Sequence, residues 1–274
     1  MVRPRMNSTA RTAVVTGGGH GIGRALCRRL QRDGTTVVVV DIDSAAAEAV
    51  AAEIGGVART IDVADEAAVL ALVYDVERDI APIDLFVSNA GVAFGDGESG
   101  AVSREGGLNP SDDRWAACWQ INVMAHVHAA RALVPRMLER GGGSFINTAS
   151  AAGLLSQIGD AAYSATKHAA VAFAESLAID YGERGIRVSV VCPQAVATRM
   201  ISIEDDSDSM EGGFGGNDVD GIMSAEEVAD IIIDESQSGR FLILTHPQVA
   251  TYFQRKAADH DRWISGMRRF REKL

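Results

Sequence analysis

The chain has 274 residues, 47% of them apolar and 23% charged, with a formal net charge of −11 at neutral pH. That balance is globular, and its longest purely aliphatic run, Val37 to Val40, is too short to cross a bilayer. A chain this acidic also lacks the clustered positive surface that binding a nucleic acid requires, so neither nucleic acid nor membrane is an expected partner.

The basic opening, Met1 to Arg11, has no apolar segment behind it, so no secretory signal is expected and the expected setting is cytoplasmic. No proline-rich or serine-rich linker divides the chain, which reads as one domain, residues 1–274. Short β-branched runs alternate with alanine-rich helical stretches, the pattern of successive βαβ units. The fold class that follows is α/β: a single doubly wound Rossmann domain, with a parallel sheet of about seven strands and helices on both faces. Strands are expected near Thr12–Thr16, Thr36–Asp41, Val57–Ile61, Asp84–Ser88, Ser144–Thr148, Ile186–Cys192 and Arg240–Thr245. Long helices are expected over Ser111–Arg140 and Asp160–Arg184.

The first expected strand runs into Thr16-Gly17-Gly18-Gly19-His20-Gly21-Ile22-Gly23. Glycines here let backbone amides approach a pyrophosphate at a helix N-terminus, whose partial positive charge favours an anion. A glycine turn alone is weak, but this one follows Ala13-Val14-Val15 and opens a helix containing Ala25, Leu26 and Leu30, within a βαβ unit of the right length. At the end of the second strand Asp41, with Ile42 beside it, lies 18 residues beyond Gly23. A carboxylate there accepts from ribose hydroxyls and repels a 2′-phosphate, which selects NAD over NADP. The alternative for an acid at this point, a helix N-cap, suits Asp43 better than Asp41.

Tyr163 and Lys167 stand four residues apart on the second long helix and so share a face. Two unit charges ~4 Å apart at an effective dielectric of ~20 attract by about 4 kcal/mol, enough to draw a phenol toward neutral pH and make it a general acid/base. Cys27, Cys118 and Cys192 are odd in number and share no Cys-x2-Cys spacing, which argues for buried apolar thiols rather than a disulfide or zinc site. His126 and His128, two apart on a helix, point to different faces and form no ligand set, so no metal is expected. The segment Glu204 to Gly221 is acidic and glycine-rich, and it lacks an EF-hand ligand pattern, since Met210 and Glu211 fall where a ligand and a glycine belong. It reads as part of a flexible flap over about residues 198–223, followed by a basic, aromatic helical tail at about 249–274.

Several of these features together resemble the short-chain dehydrogenase/reductase family, of its compact type, over nearly the whole chain. The family's Thr-Gly-x3-Gly-x-Gly turn is matched by Thr16, Gly17, Gly21 and Gly23, its adenine-contacting aspartate by Asp62 followed by Val63, and its Asn-Ala-Gly by Asn89, Ala90 and Gly91. The catalytic asparagine is matched by Asn122 and the catalytic serine by Ser150, which stands 13 residues before Tyr163. After the sixth strand Cys192-Pro193-Gln194-Ala195-Val196-Ala197-Thr198 resembles the family's Pro-Gly segment, with Pro193, Val196 and Thr198 on the nicotinamide side. Gln194 departs from the pattern, placing a polar side chain where the family has glycine. His20 occupies a place where NADP-using relatives often carry a basic residue.

The resemblance implies a mechanism. Tyr163 would take the alcohol proton, Lys167 would lower its pKa and hold the nicotinamide ribose, Ser150 would hydrogen-bond the substrate oxygen, and Asn122 would position a water in a proton relay. The cofactor expected is NAD and the partner a small-molecule substrate touched by Ser150, Tyr163 and Gln194. Relatives pair through their two long helices, which implies a homo-oligomer, dimer or tetramer, and the tail aromatics Tyr252, Phe253, Trp263, Met267 and Phe270 would be covered by a neighbour. Apolar residues Leu154, Leu155, Ile158, Val196, Met200 and Ile201, with Gln157 as a polar exception, are expected to line a site for a mid-sized alcohol, steroid-like, terpenoid or aryl. An NADP-preferring carbonyl reductase would share all these catalytic residues, and a noncatalytic dinucleotide sensor or scaffold would share the fold.

Overall fold

The computed structural model describes residues 12–95, 110–201 and 220–274. Its strands are β1 (Thr12–Thr16), β2 (Thr36–Asp41), β3 (Val57–Thr60), β4 (Leu85–Ser88), β5 (Gly143–Thr148), β6 (Ile186–Val191) and β7 (Leu242–Ile243). They form one parallel sheet in the order β3-β2-β1-β4-β5-β6-β7. The chain builds outward from β1 to β3, then returns to place β4 on the other side of β1. This reversal leaves a crevice at the carboxyl ends of β1 and β4, where neighbouring connections diverge to opposite faces.

Both faces of the sheet are apolar, which explains the unbroken valine runs in place of a polar/apolar alternation. Val14 of β1 pairs in register with Val38 and Phe86, and these side chains join the core under α3 (Glu66–Asp79), α5 (Ala125–Glu139) and α6 (Ala161–Tyr181). Their neighbours Ala13, Val15, Val37 and Val39 point the other way, into the core under α1 (Gly21–Arg32), α2 (Ser44–Ile54) and α7 (Ala225–Gln237). The strand period of two thus distributes one run of small β-branched residues over two cores.

Strand ends differ from expectation by a residue or two, and most at β7, which pairs only through Leu242 and Ile243 against Val190 and Val191. The helix expected over 111–140 is two, α4 (Asp112–Trp119) and α5, separated by a π-helical turn, Gln120–Met124, in which Ala125 N–H reaches back to the Gln120 carbonyl. The second expected helix is α6, followed by a 3₁₀ turn, Gly182–Arg184. Residues 202–219 of the expected flap lie outside the described residues. At the flap's two ends, Val196 bridges to Met223, with Ala197 N–H donating to the Met223 carbonyl at 2.9 Å and Met223 N–H to the Ala195 carbonyl at 3.1 Å.

The tail forms α8 (Gln248–Ala258) and α9 (His260–Arg271). Tyr252 and Trp263 pack against this chain's own core, whereas Phe253 is exposed. The three cysteines are buried free thiols, and burial pushes Cys118 up to about 11 and Cys192 up to about 12, where they are inert. Among the described residues no helix is long and apolar enough to cross a membrane.

Candidate active site

A cavity of about 560 Å³ lies over the carboxyl ends of the central strands. One end is made by the turn after β1. Gly17 adopts φ +63°, a left-handed conformation that favours glycine, and a Cβ on Gly23 would collide with the Gly17 carbonyl oxygen. The turn therefore folds tightly enough to bring α1 against β1, and α1 starts at the cavity with no side-chain cap from His20. Such a helix N-terminus suits a phosphate.

Gly19 stands beside Asp41, whose Oδ2 accepts from Gly19 N–H at 2.9 Å and whose Oδ1 accepts from Asp43 N–H at 3.1 Å. Those two bonds fix the carboxylate at the end of β2 while leaving lone pairs on both oxygens. Asp43 serves as the α2 N-cap, accepting from Ala46 N–H, so the capping role falls to Asp43 and not to Asp41. Ile42 is 70% exposed, an apolar side chain at the cavity edge near Asp62 and Val63 where an adenine face could lie. Gly17, His20, Gly21, Ile22, Asp41, Ile42, Asp62 and Val63 all line this end. The residues present therefore fit a dinucleotide: a phosphate cradle, a ribose-hydroxyl acceptor and an apolar edge in sequence along one wall.

The middle is held by Asn89, which joins three strand ends. Its Nδ2 donates to the Thr16 carbonyl at 3.1 Å, its Oδ1 accepts from Thr148 Oγ1 at 3.2 Å, and Thr16 Oγ1 accepts from the Asn89 and Ala90 amides. Gly91 follows, and a Cβ there would stand 3.2 Å from both Asn122 Oδ1 and Lys167 Nζ. Glycine keeps open the space between those two groups.

At the far end α6 presents Tyr163 and, one turn later, Lys167, both buried. Lys167 Nζ donates to the Thr148 carbonyl at 3.0 Å and lies 5.5 Å from the centre of the Tyr163 ring. Ser150, at the end of β5, accepts from Ala152 N–H at 3.1 Å, donates to the Pro193 carbonyl at 3.5 Å, and hydrogen-bonds the Tyr163 hydroxyl. Asn122, fully buried in the π turn, pairs with the Val92 backbone in both directions at 2.9 Å and donates to Thr166 Oγ1 at 3.1 Å. Pro193, Gln194, Val196 and Thr198 line the adjoining wall.

Burial works against the expected lowering of the Tyr163 pKa. Burial pushes the Tyr163 phenol up to about 12, the Ser150 hydrogen bond opposing it and the Asp160 charge reinforcing it. Burial likewise pushes Lys167 down to about 8. Loss of solvation penalises a phenolate, while the Lys167 ammonium donates to the Thr148 carbonyl and not to the phenol. Burial thus favours the protonated, proton-donating form of Tyr163, and Lys167 keeps most of its charge at neutral pH.

A correction concerns the expected apolar walls. Leu154 and Leu155 point into the core beneath α6, and Ile158 is not at the cavity. The walls there are Val92, Ala93, Phe94, Ile121, Ala151 and Ala152, joined by the expected Gln157, Val196, Met200 and Ile201. The 3₁₀ turn Ala151–Gly153 rotates the chain after Ser150, so the side chains that reach the cavity, Ala151 and Ala152, come from three residues earlier than expected.

Sequence reasoning also missed Asp160. This buried carboxylate caps α6 by accepting from Tyr163 N–H at 2.8 Å and accepts from Phe94 and Gly95 N–H at 3.2 and 2.9 Å. It thereby sets the position of Tyr163 and ties residues 94–95 to the helix start. An aspartate three residues before the tyrosine, at the start of an alanine-rich run, was the available signal.

Residues 11–208 match the family described as short chain dehydrogenase. The chain is 38% identical over 247 residues to the 1-deoxy-11-beta-hydroxypentalenate dehydrogenase of Streptomyces exfoliatus, covering 88% of this chain and 85% of that one. It is 34% identical over 193 residues to the meso-2,3-butanediol dehydrogenase of Serratia marcescens, covering 69% and 73%. A short chain dehydrogenase/reductase from Burkholderia phymatum, solved in complex with NAD, is similar with a TM-score of 0.79 at 27% identity, over 93% of this chain and 96% of that one.

Proposed function

This chain belongs to the short-chain dehydrogenase/reductase family, and from that premise we propose that it is an NAD-dependent oxidoreductase interconverting a secondary alcohol and its ketone on a mid-sized, largely apolar substrate. The observation that carries this reading is the convergence of Ser150, Tyr163 and Lys167 on one end of a cavity whose other end holds the glycine turn and Asp41. Two relatives named for hydroxylated substrates, hydroxypentalenate and butanediol, agree with chemistry at an alcohol carbon.

In the proposed mechanism Tyr163 exchanges one proton with the substrate oxygen, donating it in ketone reduction and accepting it in alcohol oxidation. Ser150 hydrogen-bonds the same oxygen and stabilises the charge that develops on it. Lys167, charged at neutral pH, stabilises the phenolate form and, with Gly91 leaving space beside it, would hold the nicotinamide ribose. Asn122 spends its side chain on Val92 and Thr166, so its part is to position the Lys167 surroundings rather than to touch substrate. The nicotinamide, when bound, supplies the hydride acceptor or donor. Turn glycines would hold its pyrophosphate and Asp41 its adenosine ribose, with the carboxylate disfavouring a 2′-phosphate.

One observation favours an NADP-preferring reading: Arg199 Nη1 lies 3.2 Å from His20 Nε2 at the cavity, two groups able to meet a phosphate. Initial rates with both cofactors decide between them. The catalytic assignment is tested by Tyr163→Phe, which should lower turnover by a factor of about 10² or more while NADH binding is unchanged. A variant that keeps more than a few per cent of wild-type turnover overturns it.

A further inference from the structure

We infer that Arg199 is a cofactor-binding residue, whose guanidinium reaches to the glycine turn from the segment beyond β6 and grips the cofactor's diphosphate there. This rests on the dinucleotide reading above and adds to it a full positive charge that the turn itself does not supply.

Two contacts place this arginine. A Cβ on Gly21, the first residue of α1, would stand 2.7 Å from Thr198 Cγ2, so the segment beyond β6 lies directly against the start of α1. Arg199 is the next residue and opens the 3₁₀ turn Arg199–Ile201. From there its Nη1 comes within 3.2 Å of Nε2 of His20, the residue immediately before α1. Arg199, His20 and Gly21 all line the cavity. A guanidinium only donates, so the imidazole nitrogen accepts and the arginine keeps its charge. Arg199 is exposed, which puts that charge within reach of a ligand arriving from solvent.

The charge balance of the cavity gives the arginine its role. Among the described residues that line it, Asp41, Asp62, Lys167 and Arg199 carry a fixed charge at neutral pH. Two of these are acids, and Lys167 is buried at the far end with its ammonium on the Thr148 carbonyl. A helix N-terminus contributes about half a charge at best. Arg199 is therefore the full positive charge at the glycine-turn end, and its planar fork matches a pair of phosphate oxygens. Asp43 decides which phosphate. Its Oδ2 lies 3.6 Å from His20 Nε2, and Asp41 is tied to Asp43 through the Asp43 N–H, so this side of His20 is already acidic. A 2′-phosphate there would face both carboxylates, whereas the contact between Thr198 and Gly21, where Arg199 starts, carries no acid.

The experiment measures binding and needs no substrate. Dissociation constants for NADH and NADPH are read from the fluorescence of the reduced cofactor, and those for ADP-ribose and adenosine from displacement of NADH, in wild type, Arg199→Met and Arg199→Lys. ADP-ribose keeps the diphosphate without the nicotinamide, and adenosine has no phosphate at all. Arg199→Met should weaken NADH, NADPH and ADP-ribose by one common factor of about tenfold or more, the worth of a charge-assisted hydrogen bond, and leave adenosine within about twofold. Arg199→Lys restores the charge without the fork, so its affinities should fall between the other two. A loss below about threefold for NADH in Arg199→Met, a loss confined to NADPH, or a loss that adenosine shares in full overturns the inference and leaves the dinucleotide site standing. A wild-type protein that binds neither NADH nor NADPH overturns the dinucleotide reading and this inference with it.

Discussion

Acidification should destabilise this fold through His126 in particular. The residue lies one helical turn beyond Asn122, is 2% exposed, and neither ring nitrogen meets a hydrogen-bond partner of good geometry. Burial pushes its pKa down to about 3, the Lys167 charge adds to this, and a marginal contact with the Asn122 backbone opposes both. In the unfolded chain the imidazole titrates near ~6.5. Between these two values the unfolded state binds the proton and the folded state does not, so stability falls as pH falls through that window. Taking a folded value near ~3, the loss attributable to this one ring between pH 7 and pH 4 is about 3 kcal/mol. That is a large share of the ~5–15 kcal/mol by which domains are stable. Urea unfolding of wild type and His126→Phe at pH 7 and pH 4, at one protein concentration, isolates the effect, because every other titrating group is common to both proteins. At pH 7 phenylalanine should be tolerated, since it fills the ring's place and removes two unpaired nitrogens. The variant should lose about 3 kcal/mol less than wild type on acidification. A difference below about 1 kcal/mol between the two losses would show that the folded imidazole accepts a proton readily, and would refute the reasoning.

Two further outcomes follow from the site. Replacing Asp41 with alanine removes the carboxylate held by Gly19 and Asp43. The NADP-to-NAD ratio of kcat/KM should rise about tenfold or more, given an opposing charge about 4 Å away at the protein surface, and an unchanged ratio in steady-state kinetics would remove Asp41 from cofactor choice. Asp160→Ala leaves three backbone N–H groups without their acceptor, so urea unfolding should register a loss of about 3 kcal/mol or more alongside lower turnover. A loss under about 1 kcal/mol would mean that water replaces the carboxylate.

Local rules were enough for the parts of this protein that depend on near neighbours in the chain. Consecutive valines such as Val37–Val40 can be accommodated only in a strand covered on both faces, and a glycine turn between such a strand and a helix has few uses besides an anion. Tyr163 and Lys167 share a face because a helix repeats every 3.6 residues, whatever surrounds it. Other parts were decided by contacts between segments distant in sequence. The expectation for the Tyr163 phenol had the right neighbours but left out burial, whose cost is a property of everything packed around the ring and not of the Lys167 spacing. Leu154 and Leu155 look like cavity walls from their place after Ser150, yet the 3₁₀ turn directs them into the core. The split of the long helix at Asn122 has no local signal, since the widened turn is held by Val92 and Thr166. The same is true of Gln194: its departure from the family glycine is visible in the chain, but the partner of its amide nitrogen is Asp220, itself held by Tyr252, 26 and 58 residues further along. Spacing along a chain determines which groups can meet within a helix or turn, whereas solvation and orientation depend on surfaces that exist only after the sheet and its helices have closed around them.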